Sequence, residues 1–310
     1  MTATRRDTLV GLGSGLVLSG CGRASVPAGD VVAAGQPAAL LVWAVAPGRL
    51  AGWPRKPPAA ALAALPARAA ALPELGALAG GGRPASLEAI AALGPRLVID
   101  YGDVGAEHRA LEGRMKARLG VDWRLIDGAL GRIPTAIREA ADLLGADATP
   151  LADHAAAVIH RWSRAPAGPA FYYARGADGL ETGFRGALAT EVLEGARWTN
   201  VAEGGRDIGR VTHEQVAAWD PEILVTLSPA FVESARQDRV WRRRRDGSPR
   251  RILLLPDTPF GWIDRPPSLN RLLGCAWLTD PQGASLDVPM LTRRLYGLAP
   301  VEIARPRWIG

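Results

Sequence analysis

Hydrophobic and polar positions along this chain fall into two alternating patterns. Short, almost uninterrupted apolar runs read as buried strands: Val31 to Ala34, Leu97 to Asp100, Trp123 to Ile126, Ala170 to Tyr173, Ile223 to Val225 and Ile252 to Leu255. Leu50 to Trp53 reads as a further strand. Between these lie segments with helical spacing: Pro37 to Ala46, Glu107 to Leu119, Ala187 to Leu193, Leu269 to Leu278 and Pro289 to Tyr296. An Ala-rich stretch running to Ala79 reads as helix broken at Pro66 and Pro73, because proline lacks the N–H that the helical ladder needs. The longest helical stretch, Thr135 to Ser163, is interrupted only around Gly145 to Pro150 and carries an apolar stripe through Ile137, Ala141, Leu144, Ala155 and Ile159. Strand alternating with helix predicts parallel-sheet lobes.

One segment occurs twice. Ser86 to Asp100 reads S-L-E-A-I-A-A-L-G-P-R-L-V-I-D, and Thr212 to Thr226 reads T-H-E-Q-V-A-A-W-D-P-E-I-L-V-T, with four of fifteen positions identical. Both begin with a hydroxyl residue suited to cap a helix. Glu88 and Glu214 follow in the first turn, where the helix dipole favours negative charge. Pro95 and Pro221 then stop each helix, and a β-branched strand begins. The shared grammar predicts an α/β fold with two Rossmann-like lobes joined by a long α-helix, and a ligand cleft between the lobes.

The amino terminus reads as an export signal. Arg5-Arg6 precedes an apolar stretch from Leu9 to Leu18, too short to span a bilayer, and the segment ends L-S-G-C. The arginine pair resembles a twin-arginine signal, and L-S-G-C resembles a lipobox in which Cys21 is acylated. The expected organisation is therefore signal 1–21, tether 22–34, N-terminal lobe 35–133, interlobe helix 134–166 and C-terminal lobe 167–310. With Cys21 assigned to a lipid, Cys275 has no intramolecular disulfide partner. The formal charge of +6 is spread, apart from the run W-R-R-R-R-D-G-S-P-R-R from Trp241 to Arg251. That run reads as a solvated hairpin-like loop, since Asp246-Gly247-Ser248-Pro249 carries turn residues, and no nucleic-acid partner is expected.

These features together identify a family. The two repeated segments match the pattern S/N-x-E-x-I/V-x-A-L-x-P-D-L-V-I. The chain resembles the substrate-binding lipoproteins of ABC importers for ferric siderophores, cobalamin and related metal chelates. The runs P-F-G-W-I-D-R-P-P-S-L-N-R-L-L-G (Pro259 to Gly274) and Y-Y-A-R-G-A-D-G-L-E-T-G (Tyr172 to Gly183) resemble a subgroup that binds iron or metal chelates. It departs from the pattern at Gly94-Pro95-Arg96 and Asp220-Pro221-Glu222, where lysine-proline-aspartate is usual. The resemblance implies a monomer in the periplasm, anchored to the membrane through Cys21, that hands its ligand to a permease and its ATPase. It also implies that Glu88 and Glu214 project from the two lobes and pair with permease arginines.

Ligand contacts are expected in loops that follow strand ends, the usual place in open α/β sheets. In the first lobe these supply Gln36, Trp53, Arg55, Tyr101 and Asp103; in the second, Arg175, Glu181, Trp262 and Arg265. Arginine with aromatic side chains suits an anionic chelate. His108, His154, His160 and His213 show no metal-ligand spacing, so no metal held by protein alone and no resident cofactor is expected. No G-x-S-x-G elbow or P-loop occurs, and no dinucleotide fingerprint follows the first strand, so the chain reads as a non-enzyme, with an exported enzyme as the remote alternative. Ferric siderophore leads the ligand expectations, ahead of cobalamin, haem and nickel or cobalt chelates.

Overall fold

The computed structural model describes residues 29–283, 285–297 and 305–309. The export signal, Cys21 and residues 22–28 of the expected tether lie outside the described residues; the rest of that tether is not a linker, since it holds the first strand of the N-terminal lobe. The first lobe contains β1 (Val31–Ala33), α1 (Gln36–Val45), α2 (Ala59–Ala63), α3 (Ala67–Ala71), α4 (Leu87–Ala92), β2 (Leu97–Gly102), α5 (Ala106–Leu119) and β3 (Asp122–Asp127). Its strands form a parallel sheet in the order β1-β2-β3, with Ile99 opposite Ala33 on one side and Arg124 on the other. Helices α6 (Ile133–Leu144) and α7 (Thr149–Trp162) follow.

The second lobe contains β4 (Ala170–Tyr173), β5 (Glu181–Gly183), α8 (Glu191–Gly195), β6 (Thr199–Asn200), β7 (Ile208–Arg210), α9 (His213–Trp219), β8 (Ile223–Thr226), α10 (Pro229–Ala235), α11 (Arg239–Arg242), β9 (Arg251–Leu254), α12 (Arg271–Thr279), α13 (Asp287–Tyr296) and β10 (Arg307–Ile309). Its main sheet runs β10-β9-β8-β4-β6 and is parallel except for β10. A separate ribbon pairs β5 with β7 in antiparallel fashion. The duplicated segments thus feed the middle strand of each main sheet, β2 and β8.

Strand alternation distributes side chains between cores. Leu97, Ile99 and Tyr101 of β2 join Phe171, Tyr173, Ile223, Val225 and Leu253 of the second lobe in one continuous apolar core. That core also takes in α1, α6, α7, α12 and α13, so both lobes rest on shared helices. The opposite faces form two separate cores, one around Val98 and Trp123, the other around Tyr172, Leu224 and Trp241. A period of two residues per strand face produces this division.

The structure amends several expectations. The expected interlobe helix is two helices, α6 and α7, that pack against each other and are tied by an Arg138–Asp153 ion pair of 2.7 Å. Gly145 ends α6 in the left-handed conformation at φ 63°, and its N–H bonds back to Ala141 and Asp142. Leu50 to Trp53 forms only isolated bridges, to Val31 and Glu74. Helix α8 starts four residues later than its apolar pattern suggested. The arginine run does form a hairpin-like loop, in which Ser248 N donates to Asp246 Oδ1 at 2.8 Å and Arg244 N to Ser248 O at 3.0 Å.

Candidate functional site

Parallel strands in each lobe end on one side of their sheet, and the loops that follow carry the expected ligand residues. In the first lobe, Gln36 opens α1 just after β1, and its Oε1 accepts from Arg55 N at 3.1 Å. The Arg55 side chain is exposed. Asp103, after β2, is also exposed; its Oδ1 accepts from Gly105 N at 2.7 Å, and its Oδ2 lies 3.8 Å from His108 Nδ1. These three side chains lie at or near the surface, on or beside loops that follow strand ends.

Trp53 and Tyr101 do not. Trp53 is fully buried, tilted against Trp43 at a ring-centroid distance of 5.4 Å, and donates Nε1–H to Ala69 O at 2.9 Å. Tyr101 is 2% exposed. Its hydroxyl makes no hydrogen bond of normal geometry, although Arg271 lies beside it; burial raises its pKa against the influence of that guanidinium. Trp262 is likewise 2% exposed, and the backbone of its loop is held by bonds to Pro256 and Gly274. Both tryptophans were expected in the cleft and instead fill cores, because large apolar rings gain most where water is fully excluded.

In the second lobe the charged residues are paired with one another. Arg175 Nε donates to Glu181 Oε1 at 2.7 Å, and its Nη1 contacts the carboxylate of Asp264. The guanidinium also lies 5.6 Å from the centre of the Tyr173 ring. The Tyr173 hydroxyl donates to Asp264 Oδ2 at 3.4 Å, and burial pushes its pKa up to about 12. With two carboxylates on one guanidinium the cluster is formally anionic, so Arg175 offers no net positive charge to an anionic ligand. Arg265 differs: it is exposed, has φ 65°, and forms no ion pair among the described residues. The sequence pointed to Arg175, Glu181 and Arg265, and to the loop that holds Asp264, but not to the pairing of Asp264, which is 3% exposed, with Arg175.

A second missed cluster joins the lobes. Arg271, fully buried at the start of α12, donates Nη1–H to Glu191 Oε2 at 2.7 Å and Nη2–H to the carbonyl of Gly128, just past β3. Glu191, opening α8, accepts from Leu130 N at 3.0 Å through Oε1. Nearby, Ser268 Oγ donates to Pro37 O at 2.7 Å. A buried guanidinium keeps its charge, so Glu191 and the Gly128 carbonyl supply the partners that burial demands. Only the arginine-leucine-leucine spelling of an amphipathic helix marked this position in the sequence.

Glu88 and Glu214 are exposed in the first turns of α4 and α9. Ser86 Oγ accepts from Ala89 N at 3.1 Å and donates to Glu88 Oε2 at 2.8 Å. Thr212 forms a full capping box with Gln215. The Glu88 carboxyl is held below the usual range by its own backbone N–H and by Ser86; that of Glu214 is held low by Thr212 and its own N–H. Both therefore stay anionic, on equivalent helices of the two lobes. Among the described residues no group of three or more His, Cys, Asp or Glu side chains is placed to hold a metal ion. No helix among them is long and apolar enough to cross a membrane.

No family model matches the chain, and no curated protein matches it by sequence. Solved structures do. An ABC transporter solute binding protein from Sulfurospirillum deleyianum DSM 6946 is similar over 87% of this chain and 90% of its own, with a TM-score of 0.76 and 21% identity. A periplasmic vitamin B12 binding protein of Vibrio cholerae matches over 86% of this chain and 99% of its own, with a TM-score of 0.59 and 16% identity. A periplasmic heme-binding protein from Roseiflexus sp. RS-1, in apo form, matches over 86% and 99%, with a TM-score of 0.53 and 20% identity. The chain shares the two-lobed α/β fold of these periplasmic binding proteins.

Proposed function

We propose that this chain is the substrate-binding component of an ABC importer, capturing a metal chelate between its lobes in the periplasm and delivering it to a membrane permease coupled to an ATPase. The observation that carries this reading is the near-full-length match, at a TM-score of 0.76, to an ABC transporter solute binding protein. The B12-binding and heme-binding neighbours support a chelate as the ligand class, with an iron-siderophore as the leading candidate. Arg55 and Arg265, exposed on loops of the two lobes and in no salt bridge among the described residues, suit the anionic groups of such a complex. A chelated metal brings its own donor atoms, so the protein needs no metal cage. Anchoring through Cys21 and action as a monomer belong to the same proposal.

Docking is assigned to Glu88 and Glu214. A matched pair of anions on equivalent helices suits a two-fold permease surface bearing cations. The test has two arms. Tryptophan fluorescence of the full chain carrying Cys21→Ser is titrated with ferric catecholate, hydroxamate and citrate complexes, cobalamin, haem and nickel-histidine; saturable quenching by one class supports capture. Glu88→Lys with Glu214→Lys is then expected to abolish uptake in cells while leaving that affinity unchanged. Uptake that survives the double reversal removes the docking assignment, and silence from every chelate removes the ligand class.

A further inference from the structure

The chain carries its excess charge in one place. Residues 236–251 hold eight arginines against two aspartates, a net of +6 that equals the formal charge of the whole molecule. The other 29 cations and 29 anions cancel. Two members of the segment anchor it. Trp241 is 2% exposed, stacked on Tyr172 at 5.9 Å and edge-on to Phe231 at 5.1 Å. Arg250 is buried and paired with Asp220 at 2.7 Å. Its other arginines are left at or near the surface.

Three hollows surround these side chains. Arg239, Arg242 and Arg243, all exposed and without a carboxylate partner among the described residues, line one of about 440 Å³. Arg242 and Arg243 also rim a neighbouring hollow of about 520 Å³ whose floor is apolar: Val232, Trp241, Ile252 and Ile309. On the far side, Arg244 and Arg251 border a third hollow of about 450 Å³ with Trp198 and Trp308. Trp308 is 43% exposed, and the Arg251 guanidinium lies 4.1 Å from its ring centre. Cations thus alternate with apolar recesses and one exposed indole.

That alternation selects among polyanions. A single-stranded nucleic acid would need a series of open aromatic faces for its bases, yet Trp241 is buried and Arg251 already lies over one face of Trp308, leaving no stacking platform. A small anion would use the arginines but not the apolar floor or the indole. A phospholipid surface uses all three: phosphates meet guanidinium groups, glycerol and the upper acyl chain meet the recesses, and tryptophan favours the interface. The patch includes the start of β9, the opposite end of that strand from the crevice loops, so occupancy there leaves the crevice open.

We propose that the face built by residues 236–251 and β10 binds the anionic headgroups of a phospholipid bilayer. This does not depend on the chelate or docking assignments. The full chain carrying Cys21→Ser, which prevents any acyl anchor, is sedimented with vesicles of phosphatidylcholine alone and with a third phosphatidylglycerol. Binding is expected only to the phosphatidylglycerol vesicles and is expected to weaken as salt rises. Arg239→Gln with Arg242→Gln removes two side chains that hold no structural hydrogen bond in the structure, and should weaken partitioning by about 25-fold, at about five-fold per arginine. Arg109→Gln with Arg114→Gln on α5 lowers net charge equally and should leave partitioning within about two-fold, since those arginines lie off the proposed face. Equal loss in both pairs reduces the effect to net charge and overturns the proposal, as does binding that ignores phosphatidylglycerol. Displacement from the vesicles by single-stranded DNA at lower concentration than by soluble phosphatidylglycerol headgroup also overturns it.

Discussion

Trp53 fills the space between α1 and α3, with Trp43 against one face and its only polar atom bonded to Ala69. Replacing it with alanine opens a cavity in the core, so Trp53→Ala should lower unfolding free energy by about 3–5 kcal/mol in a urea titration. A tryptophan serving the ligand would cost affinity and little stability; that outcome would return Trp53 to the site. Asp100 poses a different question at the same scale. It is 7% exposed on β2, and its Oδ1 accepts from Tyr101 N at 2.9 Å. Burial raises its pKa above the ordinary 3.8, outweighing the Tyr101 N–H and the His108 charge that lower it. The folded protein therefore holds this proton more tightly than the unfolded chain. Its contribution is greatest below the unfolded pKa and is lost as pH rises through the folded one. Asp100→Asn, uncharged at every pH, should be more stable than the parent near neutrality and should lose the part of the pH slope that lies above 3.8. Parallel stability curves for the two proteins would refute this.

Among elements, the two capped helices stand on local chemistry that the sequence spells out. Ser86 and Thr212 each satisfy a first-turn N–H that otherwise faces water without a helical partner. Thr212→Ala should cost about 1 kcal/mol of stability while chelate affinity stays constant, because α9 feeds β8 from outside the crevice. A loss of affinity larger than the loss of stability would mean that the cap shapes the site. The central strands were legible for a related reason: β2, β4, β8 and β9 are apolar on both faces, as strands buried between helical layers must be. The ribbon of β5 and β7 was not, since each is three residues long and its partner lies some 25 positions away. Strand β10 adds only three residues to an edge. The crevice shows the same limit. Strand ends indicate which loops reach it, but not which of their side chains turn inward: Trp53 is buried by the flanking helices α1 and α3, Tyr101 lies beside Arg271 far along the chain, and the Arg175–Asp264 pairing comes from a loop 89 residues away.

At the scale of the molecule, the lobes are held by more than a linker. One apolar core passes through both of them, and α1 of the first lobe packs on α13 of the second. The Arg271–Glu191 pair bonds to Gly128 and Leu130, and Ser268 bonds to Pro37, so three separate hydrogen-bonded contacts cross from one lobe to the other. Wide opening would leave the Arg271–Glu191 pair intact within the second lobe but strip its bonds to the Gly128 carbonyl and the Leu130 N–H, at about 1.5–3 kcal/mol for each such charge-assisted bond. Ligand binding energy spent on so large a rearrangement would be lost from affinity. The lobes should therefore rotate by only a few degrees between free and chelate-bound states, with affinity arising from a largely preformed crevice. Small-angle scattering should give the same radius of gyration with and without the chelate that quenches fluorescence. Arg271→Met removes the charge while keeping much of the volume, leaving Glu191 able to reach solvent. This variant should gain a ligand-dependent change in radius if the clamp sets the interlobe angle. A large closure in the parent protein would show instead that the shared core slides, and that the crossing bonds re-form in a second register.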